Sequence, residues 1–225
     1  MSEFDKFSSR YTEVLDKDLK LSGESTEYFA RYKAEYLYRC LGPDFEGSIV
    51  DYGCGVGLVT KFLRAHYDSS NVKIFGYDIS KSSIIEAREN VKDVQFTNDL
   101  EELKGRRFDA VIVANVLHHV KEEDRELFLK ETKALLDKDG YLFVFEHNPY
   151  NPLTRYVVKR SVIDKDAVLI RLKDTVKLFR AAGIQVCEKR YITFFPKILS
   201  IFRVFEPMLG DVPLGAQYIC TGKAL

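Results

Sequence analysis

After residue 47 the chain alternates short apolar runs with longer segments whose apolar residues recur at helical spacing. SIVDY (48–52), VKIFGYD (72–78), DVQFTND (93–99), FDAVIVAN (108–115) and GYLFVFEH (140–147) read as successive strands. The fourth is almost wholly apolar, as a strand covered on both faces should be. Between them, VGLVTKFLRAHY, SKSSIIEARENV (with Ser80 as N-cap) and EEDRELFLKETKALL read as helices, and DKDG after the last as a turn. LKDTVKLFRAAG (172–183) is a further helix stopped by Gly183. IQVCEKRYITFF (184–195) and AQYICTGKA (216–224) complete seven strands. The pattern predicts an α/β fold: a mostly parallel, doubly wound seven-stranded sheet with helices on both faces, closed by an antiparallel last strand. Residues 1–45, rich in Tyr and Phe, predict an N-terminal helical cap on a core of 46–195 and 216–225. Segments 148–170 and 196–215 interrupt the alternation after strands, where insertions tend to cover a site.

Composition narrows this to one folded domain. Of 225 residues, 46% are apolar and 30% charged, which separates the chain from disordered sequences. Lys plus Arg equals Asp plus Glu, at 34 each, so the basic excess of a nucleic-acid binder is missing. The polar start and the lack of a long apolar run predict a cytoplasmic protein. Cys40, Cys54, Cys187 and Cys220 form no CxxC pair, so neither a metal site nor a disulfide framework is expected.

The most informative stretch is IVDYGCGVGLVT (49–60). Asp51 ends a strand, Cys54 and three alternating glycines (Gly53, Gly55, Gly57) follow, and a helix begins there. Glycines let the backbone turn sharply and approach a ligand, towards which the helix amides point. The dinucleotide pattern GxGxxG would need a third glycine where Leu58 stands. A carboxylate at the strand end would repel a pyrophosphate and attract an ammonium group.

DYGCGVG resembles motif I of class I S-adenosylmethionine (SAM)-dependent methyltransferases, and three further stretches match in order: GYDIS (76–80), FTNDLEEL (96–103) and FDAVIVANVLHHV (108–120). The resemblance implies SAM as cofactor and a small-molecule acceptor. It implies Asp51 for the methionine ammonium, Asp78 with Ile79 beside it for the ribose, Asn98 or Asp99 for the adenine amino group, and Asn115 and Val116 near the methionine part. The N-terminal helix of such enzymes often folds over the cofactor, which nominates Tyr28 and Arg31. For the catalytic base, His119 is favoured over His118 as the inward member of the pair. Glu146 and His147, at the end of the fifth strand, are the other candidates. NPY at 148–150 is not the (D/N)PP(Y/F) motif of nucleic-acid methylating enzymes: it follows the wrong strand and lacks the second proline. The apolar 196–209 segment reads as an amphipathic helix, packed on the core, lining an apolar pocket, forming a homodimer contact or touching a membrane surface. Its two cations are too few for stable anchoring. Two other uses of the fold stay open: a catalytically silent SAM-binding module and an NAD(P)-dependent oxidoreductase.

Overall fold

The computed structural model describes residues 11–19, 23–67 and 71–224; the expected cap residues 1–10 and 20–22 lie outside these. Seven strands form one sheet in the order β3-β2-β1-β4-β5-β7-β6. They are β1 (Gly47–Tyr52), β2 (Val72–Tyr77), β3 (Gln95–Thr97), β4 (Phe108–Ala114), β5 (Leu136–His147), β6 (Ile184–Ile192) and β7 (Gln217–Ala224). The first five pair in parallel, and β7 runs antiparallel between β5 and β6. The chain reverses direction in sheet order at β1 and β4, so their carboxyl ends open the crevice where ligands of such sheets bind.

Among the described residues the α-helices are α1 (Tyr11–Leu19), α2 (Thr26–Leu41), α3 (Leu58–His66), α4 (Lys81–Asn90), α5 (Arg125–Ala134), α6 (Pro152–Arg160) and α7 (Leu172–Ala181). Alternation along β4 makes the two cores. Val111 and Val113 pack with Leu129 of α5 and Val176 and Phe179 of α7. Ala110 and Ile112 pack on the other face with Ala34 and Leu37 of α2 and Leu63 of α3. These side chains are fully or almost fully withdrawn from water, the Val, Leu, Ile and Phe among them each contributing about 1.5–3 kcal/mol.

Two local expectations change. DKDG is not a free turn: it belongs to β5, where Leu136 pairs with Phe108 before an irregularity and Asp139 takes a left-handed φ of 67°. Residues Lys197–Leu209 are not an α-helix but a 3-10 run kinked at Leu199, with Pro207 inside. A proline cannot donate to the preceding turn and disfavours a regular α-helix there. Glu206 anchors the run by accepting from Phe194 N and Phe195 N at 2.8 and 3.1 Å. The apolar side chains turn outward instead of packing on the core, with Ile198, Ile201 and Met208 80% or more exposed. Among the described residues no helix is long and apolar enough to cross a membrane.

Candidate functional site

A cavity of about 580 Å³ opens at the carboxyl ends of β1, β2 and β4. Its floor is the turn after β1. Gly53, Gly55 and Gly57 all have positive φ (86°, 53° and 79°), a region side chains with a Cβ avoid. At Gly53 a Cβ would sit 2.4 Å from Val116 Cγ2, whereas at Gly55 it would meet nothing within 4 Å. Gly53 is therefore required by the protein's own packing, and Gly55 leaves open space over the turn. Gly57 does not line the cavity; it precedes α3, and its Cβ would press on Ala87 at 3.2 Å.

Asp51 is 1% exposed and lines the cavity. Thr60 Oγ1 donates to its Oδ2 at 2.7 Å, while Oδ1 has no partner. Burial is the main reason its carboxyl is pushed up to about 6; Asp78 adds to the rise, and Thr60 and Lys33 oppose it. Asn115, at φ 59°, also lines the cavity, and its Nδ2 is likewise buried without a partner. An orphaned acceptor and an orphaned donor on two residues that line one cavity fit a zwitterionic amino acid, since buried polar atoms in folded proteins generally have partners. Asp78 accepts from Gly55 N and Ser80 N, both at 2.8 Å, and so holds the turn and the start of α4 together at the cavity edge beside Ile79.

Elsewhere the wall is mostly apolar. Leu15 and Leu19 of α1, Phe29 of α2 and Leu153 and Val157 of α6 contribute to it. His119, His147 and Asp164 are polar exceptions there. Behind them Glu146, fully buried, accepts from His118 Nδ1 at 2.6 Å and from the amides of His118 and His147 at 3.3 Å each. Burial pushes His118 down, but Glu146 and then Asp164 outweigh it and raise the imidazole to about 9. Burial acts to raise Glu146, and the His118 charge reverses this and lowers it. His147 is driven down to about 4, first by burial and then by His118.

The cavity gathers Asp51, Gly53, Cys54, Gly55, Asp78, Ile79, Asn115, Val116, His119 and His147 from the sequence candidates. It leaves out five besides Gly57. Tyr28 and Arg31 point elsewhere: the Arg203 guanidinium lies 4.4 Å over the Tyr28 ring, and Arg31 lies over Phe62 of α3 at 5.0 Å. The cavity face of α2 is instead Thr26, Phe29, Ala30 and Lys33, the i, i+3, i+4, i+7 stripe beside the tyrosines. Asn98 and Asp99 are exposed and outside the lining; Asp99 caps a short 3-10 helix by accepting from Glu101 N at 3.0 Å. Glu146 lies behind the wall, fully buried, where it accepts from His118. Residues 196–215 line none of the cavity, although Ala216 and Gln217 do.

Sequence reading missed Lys33 and Asp164, and weighed His118 only as the less favoured member of the histidine pair. Lys33 is 4% exposed and drawn down to about 8 by burial, against the attraction of Glu146 and Asp51. Its helical phase with Phe29 was the available signal. Asp164 had none, because only the irregular loop after α6 brings it to the histidines.

A family model described as a methyltransferase domain matches residues 50–144. Over 148 residues the chain is 25% identical to a carboxy-S-adenosyl-L-methionine synthase of Shewanella amazonensis, covering 63% of this chain and 60% of that protein. Over 166 residues it is 30% identical to a malonyl-[acyl-carrier protein] O-methyltransferase of Bacillus cereus, covering 67% and 60%. The chain thus spans about three fifths of the length of these two curated relatives. Among solved structures, a SAM-dependent methyltransferase of Thermotoga maritima, a possible histamine N-methyltransferase, superposes with TM-score 0.66 at 22% identity, covering 99% and 98%. The magnesium protoporphyrin IX methyltransferase of Synechocystis with bound SAM gives 0.63 at 15%, covering 100% and 99%.

Proposed function

From a chain that carries the methyltransferase domain on the SAM-binding class I fold, we propose an enzyme that methylates an O, N or C acceptor on a small, partly hydrophobic molecule. The observation that carries the cofactor side is the unpartnered Asp51 Oδ1 beside the glycine turn. When bound, SAM supplies a methyl group already activated by positive sulfur. Asp51 holds the amino group, Asn115 offers its amide, and Asp78, which already accepts from Gly55 N and Ser80 N, sits at the cavity edge where ribose hydroxyls would donate to it as well. Gly55 leaves the turn open to the ligand.

The apolar walls from α1, α2 and α6 receive the acceptor and exclude water. His119, in the wall beside His147 and Asp164, takes the proton of a hydroxyl acceptor at its ring nitrogen. Orientation of the acceptor by these walls is the larger part of the rate, because the methyl group needs little further activation.

Calorimetry and thermal shift test the cofactor reading. SAM at a hundredfold excess over Kd is expected to stabilise the protein by about 2.7 kcal/mol; NAD(P) should leave Tm unchanged. The reverse result would make the protein an oxidoreductase. With a turned-over hydroxyl acceptor, His119→Ala should lower kcat by about 10²–10⁴-fold at unchanged SAM affinity. An unaltered kcat would remove His119 as the base. The likeness to a carboxy-S-adenosyl-L-methionine synthase favours one second reading, in which SAM itself is modified. Mass spectrometry of the cofactor after turnover separates the two, since methyl transfer leaves S-adenosylhomocysteine.

A further inference from the structure

We propose that His118, His147 and Asp164 form a divalent metal site on the acceptor side of the cavity. One nitrogen of each histidine and one Asp164 oxygen lie within 4.8 Å of one another. His118 Nε2 is 3.4 Å from Asp164 Oδ1, and His119 Nε2 approaches the same oxygen at 3.4 Å. Charge-assisted N–H···O contacts close to about 2.7–2.9 Å. Ligand atoms held about 2.0–2.1 Å from a tetrahedral zinc ion stand roughly 3.3–3.4 Å apart. The His118–Asp164 separation is that of two ligands around an ion.

The surroundings are built for it. Glu146 fixes the Nδ1–H of His118 at 2.6 Å, which aims Nε2 at Asp164, where its proton would give way to the ion. A carboxylate orienting the far nitrogen of a histidine is the usual outer partner of a metal-binding imidazole. The Asp164 loop is tied down: Ser161 Oγ accepts from Asp164 N at 3.3 Å, and Val168 N donates to His118 O at 2.9 Å. Two carboxylates, Glu146 and Asp164, meet here with 0% and 9% of their surface exposed. A single imidazolium neutralises one of them, whereas a dication neutralises both. Two histidines and an aspartate leave a coordination position free, and His147 and Asp164 both line the cavity. Resting on the methyltransferase reading, that position would take an acceptor oxygen and increase its acidity, with His119 beside it to receive the proton.

The sequence offered no hint of this, because the ligands come from the turn after β4, the tip of β5 and a loop 46 residues beyond His118. The test uses the full chain, stripped with a chelator and titrated with Zn²⁺ by calorimetry and with Co²⁺ by visible absorption. Expected are one ion per chain, a tetrahedral Co²⁺ band, proton release on binding, and affinity lowered at least about 100-fold by Asp164→Asn. His66→Gln, on α3, should bind like the parent. Binding that is absent, or equal in Asp164→Asn and parent, would overturn the site and leave a proton in its place. Because Co²⁺ absorption is read on the parent, a poorly folded variant does not obscure the answer. SAM affinity is measured separately, so a failed metal site and a failed methyltransferase reading give different results.

Discussion

Asp51→Asn is expected to weaken SAM binding roughly 10- to 100-fold and to make the ligand-free protein more stable, two effects of opposite sign from one atom. The first follows because a charged hydrogen bond to the ammonium group contributes about 1.5–3 kcal/mol. The second follows from the cost of the carboxylate without its ligand. Burial raises Asp51 to about 6, above the value of an unfolded chain. Between about pH 4 and pH 6 the folded state therefore holds more of this proton, and stability falls as pH rises through that window. At pH 7 the charge costs roughly 1–3 kcal/mol, a burden the neutral isostere lacks while its oxygen still accepts from Thr60. Denaturation with and without SAM, read at pH 5 and pH 7.5, checks both. In the parent, Kd for SAM should rise about tenfold per unit below pH 6 as the carboxyl protonates; in the variant it should stay level. A variant that binds SAM like the parent would detach Asp51 from the cofactor.

The parts of this molecule that were legible in the sequence are those governed by short-range rules. Seven strands were visible because apolar runs such as FDAVIVA must be covered on both faces. The cavity floor was visible because Gly53 to Gly57 needs positive φ and Asp51 ends a strand beside it. What the sequence did not place depended on rotation or on distant chain. Tyr28 and Lys33 lie on one helix, and the choice of which faces the cavity is set by packing on α3 and the 3-10 segment, not by α2 itself. The 197–209 run has apolar residues at helical spacing, yet Pro207 and the hold of Glu206 on Phe194 and Phe195 turn them to solvent. Asp164 reaches His118 only through the path of the loop after α6. Of the histidine pair, His119 does meet the cavity. Its neighbour became the buried hub because the amide and ring of residue 118 both reach the Glu146 carboxylate.

That hub explains why Glu146, a candidate base from its place at a strand end, should behave as a positioning residue. Its carboxylate accepts from one imidazole and two backbone amides with no access to water. Glu146→Ala leaves the buried His118 charge and both amides without their acceptor, at a cost of about 3–5 kcal/mol. For a chain of this size that lowers Tm by about 6–20 °C. In the metal-free protein the pH dependence carries the signature of the pair. His118 is raised to about 9, so its contribution is complete below its ordinary value of 6.5 and lost as pH climbs through 9. Glu146 is lowered, so its contribution is present above 4.5 and lost as pH falls below it. The pair's own contribution to the parent's stability should therefore be greatest between about pH 4.5 and 6.5 and decline on either side, on top of the Asp51 slope, and Glu146→Ala should remove it. Glu146→Gln keeps an oxygen for the His118 ring but not the charge, so it should regain part of the lost Tm while the His118 resonance titrates nearer the ordinary range. If Glu146→Ala melts with the parent and lowers only kcat, the carboxylate meets the acceptor after all, and the positioning role falls.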